Sequence, residues 1–230
     1  MKEDVLVHRS MSTLSRPKVL LADDHSVMAE ALRALLCNHC DIVGIAADGR
    51  ALVAKAIELR PDLIVADIGM PLLNGLDAAE QITRALPQVR FVFLTMIDDR
   101  NLAAAALRLA PVGYVLKHSA ASELLTAIDE VRKGRSFVTA RLRPENWAVQ
   151  KERAEQASKE LTPRQRDVLQ LLAEGRPMKE IADILQVSEK TVQFHKYHIM
   201  KSCSLGSNAD LVLFALKNGL ISSQRFSPKT

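Results

Sequence analysis

Leu63-Ile64-Val65-Ala66-Asp67-Ile68-Gly69-Met70-Pro71 (63–71) is the stretch on which the fold turns. Four apolar residues without a polar interruption suit a strand buried on both faces, and a carboxylate then stands directly at the strand's C-terminal end. The same plan recurs on both sides. Apolar runs at 19–22, 42–46, 91–94 and 113–116 alternate with amphipathic stretches near 26–38, 50–59, 75–86, 99–108 and 120–133. Five such alternations predict an α/β domain, a doubly wound five-stranded parallel sheet. Right-handed crossovers bring all the strand C-terminal ends to one edge, where such sheets bind ligands.

The chain outside this block bounds the rest. Its 230 residues suit two domains, and 48% hydrophobic with 25% charged residues excludes a disordered chain. Three cysteines are too few for a disulfide framework and point to a reducing compartment, hence a cytoplasmic protein. No apolar run reaches the roughly 20 residues that span a bilayer, and the start of the chain carries no apolar signal-peptide core, so no membrane association is expected. The formal net charge of +4 is unevenly spread. Residues 1–140 hold 16 Lys/Arg against 17 Asp/Glu, whereas residues 141–230 hold 15 against 10, so the basic excess lies where a polyanion would be met.

The expected organisation is an N-terminal extension over 1–16, the α/β domain over 17–134, a charged, partly helical linker over 135–160, an all-α domain over 161–222 and a tail over 223–230. The all-α domain reads as four helices. Thr162-Pro163-Arg164-Gln165 has the capping-box pattern, with Thr at the N-cap, Pro at the first helical position and Gln at the third. That helix stops at Gly175. A second runs near 178–185, Ser188 caps a third near 189–201, and Ser207 caps a fourth ending near Asn218-Gly219.

Asp23 and Asp24 follow the first predicted strand, Asp67 follows the third, Thr95 ends the fourth and Lys117 ends the fifth. All five fall on one sheet edge. Clustered carboxylates repel one another unless a cation joins them. Hard oxygen donors suit Mg²⁺, which keeps some of its waters and favours phosphate. Lys117 adds a positive charge for a phosphoryl group, Thr95 adds a hydroxyl, and an Asp carboxylate can accept a phosphoryl group as an aspartyl-phosphate. The alternative for each Asp alone is a helix cap.

These residues, with Ile-Gly-Met-Pro after Asp67, Asn74-Gly75, and Gly-Tyr-Val-Leu-Lys ending at Lys117, resemble a response-regulator receiver domain of flavodoxin-like fold. The resemblance implies Asp67 as phosphoryl acceptor from a histidine kinase, and Mg²⁺ held by Asp23, Asp24, Asp67 and the carbonyl of Gly69. It also implies Lys117 as the group pairing with the phosphoryl oxygens and Thr95 with Tyr114 as a switch pair. The 103–106 alanine run lies on the fourth helix, a partner surface in such domains. An enzyme reading, a hydrolase with Asp67 as nucleophile, wants an acid two residues on; Gly69 stands there, so no turnover enzyme is expected, only self-catalysed acceptance.

Residues 161–222 resemble the LuxR-type helix-turn-helix domain of NarL/FixJ regulators, on 161–175, Lys-Glu-Ile-Ala (179–182) and Val-Ser-Glu-Lys-Thr-Val (187–192). Val192 and Ile199 are seven apart and should face the core. Lys190, Phe194, Tyr197 and Lys201 form a second stripe, although Phe194 alone could be core and His195 structural. The resemblance places double-stranded DNA at Gln193, Phe194 and Tyr197 for base contact, and at Lys190, Thr191, His195 and Lys196 for phosphate contact or orientation. Pro177 stands where a capping Ser or Thr is usual, Cys203 shrinks a core side chain, and Ser204 replaces a glycine suited to a left-handed helix end. Cys37 and Cys40, two residues between them, are expected to pack rather than to bind metal. The whole reads as a phosphorylation-controlled transcription regulator that pairs as a homodimer when active. The competing binding-module reading makes the first domain a mere dimerisation scaffold.

Overall fold

The computed structural model describes residues 16–96, 98, 100–109, 111–142 and 161–221. The expected extension up to residue 15, most of the linker and the tail lie outside them.

The first domain runs β1 (Lys18–Ala22), α1 (Ser26–Leu36), β2 (Asp41–Ala46), α2 (Gly49–Leu59), β3 (Leu63–Asp67), α3 (Gly75–Ala85), β4 (Arg90–Thr95), α4 (Arg100–Ala106), β5 (Val112–Leu116), α5 (Ala120–Arg132) and β6 (Phe137–Val138). The strands form one parallel sheet in the order β2-β1-β3-β4-β5-β6. The sheet therefore has six strands, not five. The sixth comes from the segment expected to be linker, where Phe137 and Val138 pair with Gly113 and Tyr114. A short 3₁₀ turn, Ala140–Leu142, follows and buries Leu142. β1, β3, β4 and β5 are buried almost throughout, as their unbroken apolar runs require. β2 departs from that expectation: it is the edge strand and most of it is only half-buried.

Two apolar layers cover the sheet. On one face α2, α3 and α4 pack over Leu20, Ile64, Phe91 and Phe93; on the other α1 and α5 pack over Val19, Leu21, Val65 and Val92. Ala103 and Ala106 of α4 are buried in the layer over the sheet, and Ala104 is buried as well. Cys40 is buried in the α1/α5 layer, and burial pushes its thiol pKa up; Cys37 is exposed and donates to the carbonyl of Ala34.

The helical domain comprises α6 (Pro163–Ala173), α7 (Met178–Leu185), α8 (Glu189–Ser202) and α9 (Asn208–Lys217) around a core of Val168, Leu169, Leu171, Ile181, Leu185, Val192, Ile199 and Leu211. The capping box at Thr162 and Gln165 is present in full. Ser188 and Ser207 accept from the amides of Thr191 and Asp210. Pro177 caps α7 without a side-chain hydrogen bond. Instead Arg176 pairs with Glu180 in that helix's first turn, a carboxylate well placed for the helix dipole.

Just past the end of α8, Ser204 holds φ of +54°, the left-handed conformation that glycine adopts without a Cβ penalty. Ser204→Gly is expected to stabilise the helical domain by about 1 kcal/mol, read as a raised denaturation midpoint. An unchanged or lowered midpoint would show that the serine side chain compensates for its backbone.

Candidate functional site

Parallel pairing fixes the site. β1 registers Ala22 beside Ala66 of β3, so Asp23 and Asp67 emerge together one residue later. β3 registers Asp67 beside Leu94, and β4 registers Thr95 beside Leu116, which puts Thr95 and Lys117 on the same edge. Gly75 begins α3 just beneath: a Cβ there would lie 2.3 Å from the carbonyl oxygen of Asp67, so only glycine allows the helix this close to the strand end.

Asp23, Asp67, Thr95 and Lys117 are all buried, and Asp24 is half-buried. Lys117 Nζ lies 2.8 Å from Asp23 Oδ2 and 2.8 Å from Asp67 Oδ2. The amide of Gly69 donates to Asp67 Oδ1 at 3.1 Å. Burial pushes the Asp67 carboxyl above its usual range; the pull of Lys117 and the amide of Gly69 do not fully offset it, and Asp23 adds to the rise. Burial pulls Lys117 the other way, but its two carboxylate partners outweigh that and hold its pKa above the ordinary value. Tyr114 is fully buried on β5.

The sequence gives no warning of His25, which caps α1 with its Nδ1 3.0 Å from Asp24 and 3.3 Å from Asp23. Ligand atoms of Asp23, Asp24, His25 and Asp67 all lie within 4.8 Å of one another. Three clustered carboxylates, two of them paired to one lysine, leave negative charge that a divalent ion can balance, and the oxygen donors fit a hard ion such as Mg²⁺.

The second constellation is on α8. Val192 and Ile199 are fully buried, as their seven-residue spacing requires. The opposite face exposes Phe194 at 58% and Tyr197 at 62%, together with Lys190, Gln193 and Lys201, so Phe194 is not core. Exposed aromatics of this size are uncommon on a merely solvated helix. His198 binds them into one surface, with ring centroids 4.3 Å from Phe194 and 5.8 Å from Tyr197. Its spacing of four from Phe194 was the available signal. One expected contact residue is otherwise engaged, and two are only partly exposed. The Thr191 hydroxyl lies 2.9 Å from that of Ser188, within the helix cap. His195 is half-buried, and burial first, then Arg164 and His198, lower its pKa. Lys196 is half-buried.

A third group joins the domains. Asp77, in the first turn of α3, accepts from the Asn74 amide and lies 2.8 Å from Arg166 of α6. Burial raises its pKa from 3.8 to about 6; Arg166 and Asn74 oppose the rise, while Glu80 and Asp167 add to it. The folded protein thus holds this proton more tightly than the unfolded chain. The stability it contributes is fully present below pH ~4 and is lost as pH rises through ~6. Across that window wild type should lose roughly 3 kcal/mol relative to Asp77→Asn, measured by denaturant titration at several pH values. Parallel stability curves for the two proteins would contradict this assignment.

Comparison with known proteins bears on both constellations. Residues 19–129 match the family model described as the response regulator receiver domain, and residues 159–215 match that of bacterial regulatory proteins, luxR family. The chain is 36% identical over 214 residues to the oxygen regulatory protein NreC of Staphylococcus aureus, covering 89% of this chain and 99% of that one. It is 34% identical over 211 residues to the transcriptional regulatory protein MctR of Rhizobium johnstonii, covering 90% and 97%. Among solved structures it resembles the RcsB response regulator of Salmonella typhimurium at a TM-score of 0.62 and 28% identity, over 88% of this chain and 98% of that one. It also resembles RcsB of Salmonella enterica serovar Typhimurium bound to promoter P1flhDC in the presence of phosphomimetic BeF3−, at a TM-score of 0.58 and 28% identity, over 89% and 98%.

Proposed function

The chain belongs to the response regulators that join a receiver domain to a LuxR-type DNA-binding domain, and from that premise we propose that Asp67 is its phosphoryl acceptor and α8 its DNA-reading helix. It is a DNA-binding transcription regulator controlled by phosphorylation, with a histidine kinase as its partner. Among the described residues no helix is long and apolar enough to cross a membrane. We place its action in the cytoplasm, where kinase and DNA are both met.

The observation that carries the acceptor role is the buried Lys117 ammonium held 2.8 Å from both Asp23 and Asp67 at the sheet edge. An oxygen of Asp67 attacks the phosphorus of a phosphohistidine. The new P–O bond forms as the P–N bond breaks, and the bonding electrons leave with the imidazole. Lys117 transfers its pairing from the carboxylate to the phosphoryl oxygens. Asp23, Asp24, Asp67 and the carbonyl of Gly69 would hold Mg²⁺, which when bound neutralises charge between acceptor and phosphoryl group. Thr95 turns its hydroxyl toward the phosphoryl group, and Tyr114 repacks with it, which carries the change to the α4–β5 surface.

On α8, Gln193, Phe194 and Tyr197 meet base edges, with Gln193 suited to adenine and the aromatics to thymine methyls. Lys190 and Lys196 meet phosphates, while Thr191 and His195 orient the helix from its cap and its half-buried face. Residues 158–230 hold 11 Lys/Arg against 7 Asp/Glu, a modest excess, so one copy binds weakly and a homodimer on paired half-sites binds usefully.

Incubation of the full chain with a small phosphodonor and Mg²⁺, followed by DNA selection, tests the reading. Stoichiometric phosphoprotein and an enriched paired motif are expected. Sustained turnover of the donor would instead favour a hydrolase, and selection indifferent to phosphorylation would favour a receiver that serves only as a scaffold.

A further inference from the structure

Thr139 is polar yet only 3% exposed, and it directly follows β6 in the segment expected to be linker. A buried hydroxyl needs partners, and this one has two. Its Oγ1 accepts from the amide of Leu116 at 3.2 Å and donates to Glu123 Oε2 at 2.6 Å. The Thr139 amide donates to the carbonyl of Tyr114 at 3.0 Å. On the other side of β6, Ser136 Oγ accepts from the amide of Val112 at 3.2 Å. β6 is only two residues long, so these flanking groups serve the β5 edge where a longer strand would supply its own backbone.

The two bonds of the hydroxyl enclose Lys117. Leu116 ends β5, Lys117–Ser119 form a 3₁₀ turn, and Glu123 stands in the first turn of α5. Thr139 therefore spans that turn, tying the residue before Lys117 to the helix after it. Its bond to a carboxylate is charge-assisted, and the polarised hydroxyl accepts the Leu116 amide more strongly. On its other edge β5 is held by β4, with Leu116 beside Thr95. From this clamped base Lys117 Nζ lies 2.8 Å from both Asp23 and Asp67. The clamp is itself secured. Leu142, whose amide donates to the Thr139 carbonyl, is buried in the layer of α2, α3 and α4, and Arg141 lies 3.0 Å from Asp98 in the loop before α4.

We propose that Thr139 is a positioning residue for phosphoryl transfer: its hydroxyl, clamped between Leu116 and Glu123, fixes the turn from which Lys117 meets the phosphoryl oxygens. The inference rests on the roles of Asp67 and Lys117 in the proposed function. A lysine ammonium rides on a flexible four-carbon stem, so it is placed only as well as its backbone is held. Attraction to Asp23 and Asp67 holds Nζ before the reaction. During transfer the ammonium must follow the charge onto the phosphoryl oxygens, and there a misplacement of about 1 Å costs up to ~10²-fold. The acceptor machinery thus extends through residues 137–142, past the domain boundary expected at 134. The segment that leads out of the domain also braces its reactive edge.

The test measures the rate at which full-length protein is phosphorylated by acetyl phosphate with saturating Mg²⁺. Thr139→Val keeps the side chain's shape and removes its hydroxyl, Thr139→Ser keeps the hydroxyl, and Glu123→Ala removes the group to which it donates. Thr139→Val should react roughly tenfold more slowly or worse, Glu123→Ala should shift in the same direction, and Thr139→Ser should stay near wild type. In a Lys117→Ala background Thr139→Val should cost no further rate, because a residue that acts through Lys117 then has nothing to position. Wild-type rates in folded Thr139→Val and Glu123→Ala, or an equal loss with and without Lys117, would overturn the inference. Glu123 is only half-buried, so its variant keeps the test decisive if Thr139→Val does not fold. A wild type that takes up no phosphoryl group would instead overturn the roles of Asp67 and Lys117 themselves.

Discussion

Asp67→Asn should yield a folded protein that takes up no detectable phosphoryl group from a donor that labels the wild type fully. The amide has no carboxylate oxygen to form the acyl phosphate, yet it matches the shape of the side chain it replaces. The fold should survive because burial already disfavours the charged form of Asp67, holding its pKa above the usual range despite Lys117. Intact-mass measurement after incubation with the donor and Mg²⁺ decides it. Phosphoprotein on the variant at wild-type yield would move the acceptor to another residue.

Lys117→Ala should have the next largest effect, and a different signature. It removes the cation that lies 2.8 Å from both Asp23 and Asp67, leaving two buried carboxylates facing one another. Removing one partner from a buried ion pair costs about 3–5 kcal/mol. The variant should lose stability on that scale in metal-free buffer at neutral pH, and added Mg²⁺ should restore part of it by balancing the same charge. Its phosphorylation should also slow by roughly 10²-fold, as for loss of one preorganised charge at a transferring group. Equal stability with and without Lys117, indifferent to Mg²⁺, would show that the carboxylates are not electrostatically coupled.

What could be read from sequence followed from locality. Asp23, Asp24, Asp67, Thr95 and Lys117 were legible because each sits at the end of a short apolar run, and parallel topology sends all such ends to one edge. Val192 and Ile199 against Phe194 and Tyr197 were legible because a helix sorts its faces by spacing alone. What was missed depends on partners distant in the chain. β6 is two residues long, too short for any period, and exists because Gly113 and Tyr114 offer it a sheet edge. The half-burial of β2 reflects its edge position, which its apolar run does not encode. Gln170 carried a signal, a lone amide in an apolar helical run, but its partners at Met70 and Asn74 lie about a hundred residues away. His25 was hidden because its role comes from the turn of the chain after β1 rather than from a pattern.

The most direct test of the central claim is the DNA affinity of one full-length preparation before and after phosphorylation. It should be measured at fixed salt on a duplex bearing the selected paired half-sites, since affinity for DNA depends steeply on ionic strength. Phosphorylation should tighten binding by roughly tenfold or more, while Asp67→Asn treated identically stays at the unphosphorylated value. Identical affinities for the two states of the wild type would contradict control of DNA binding from Asp67.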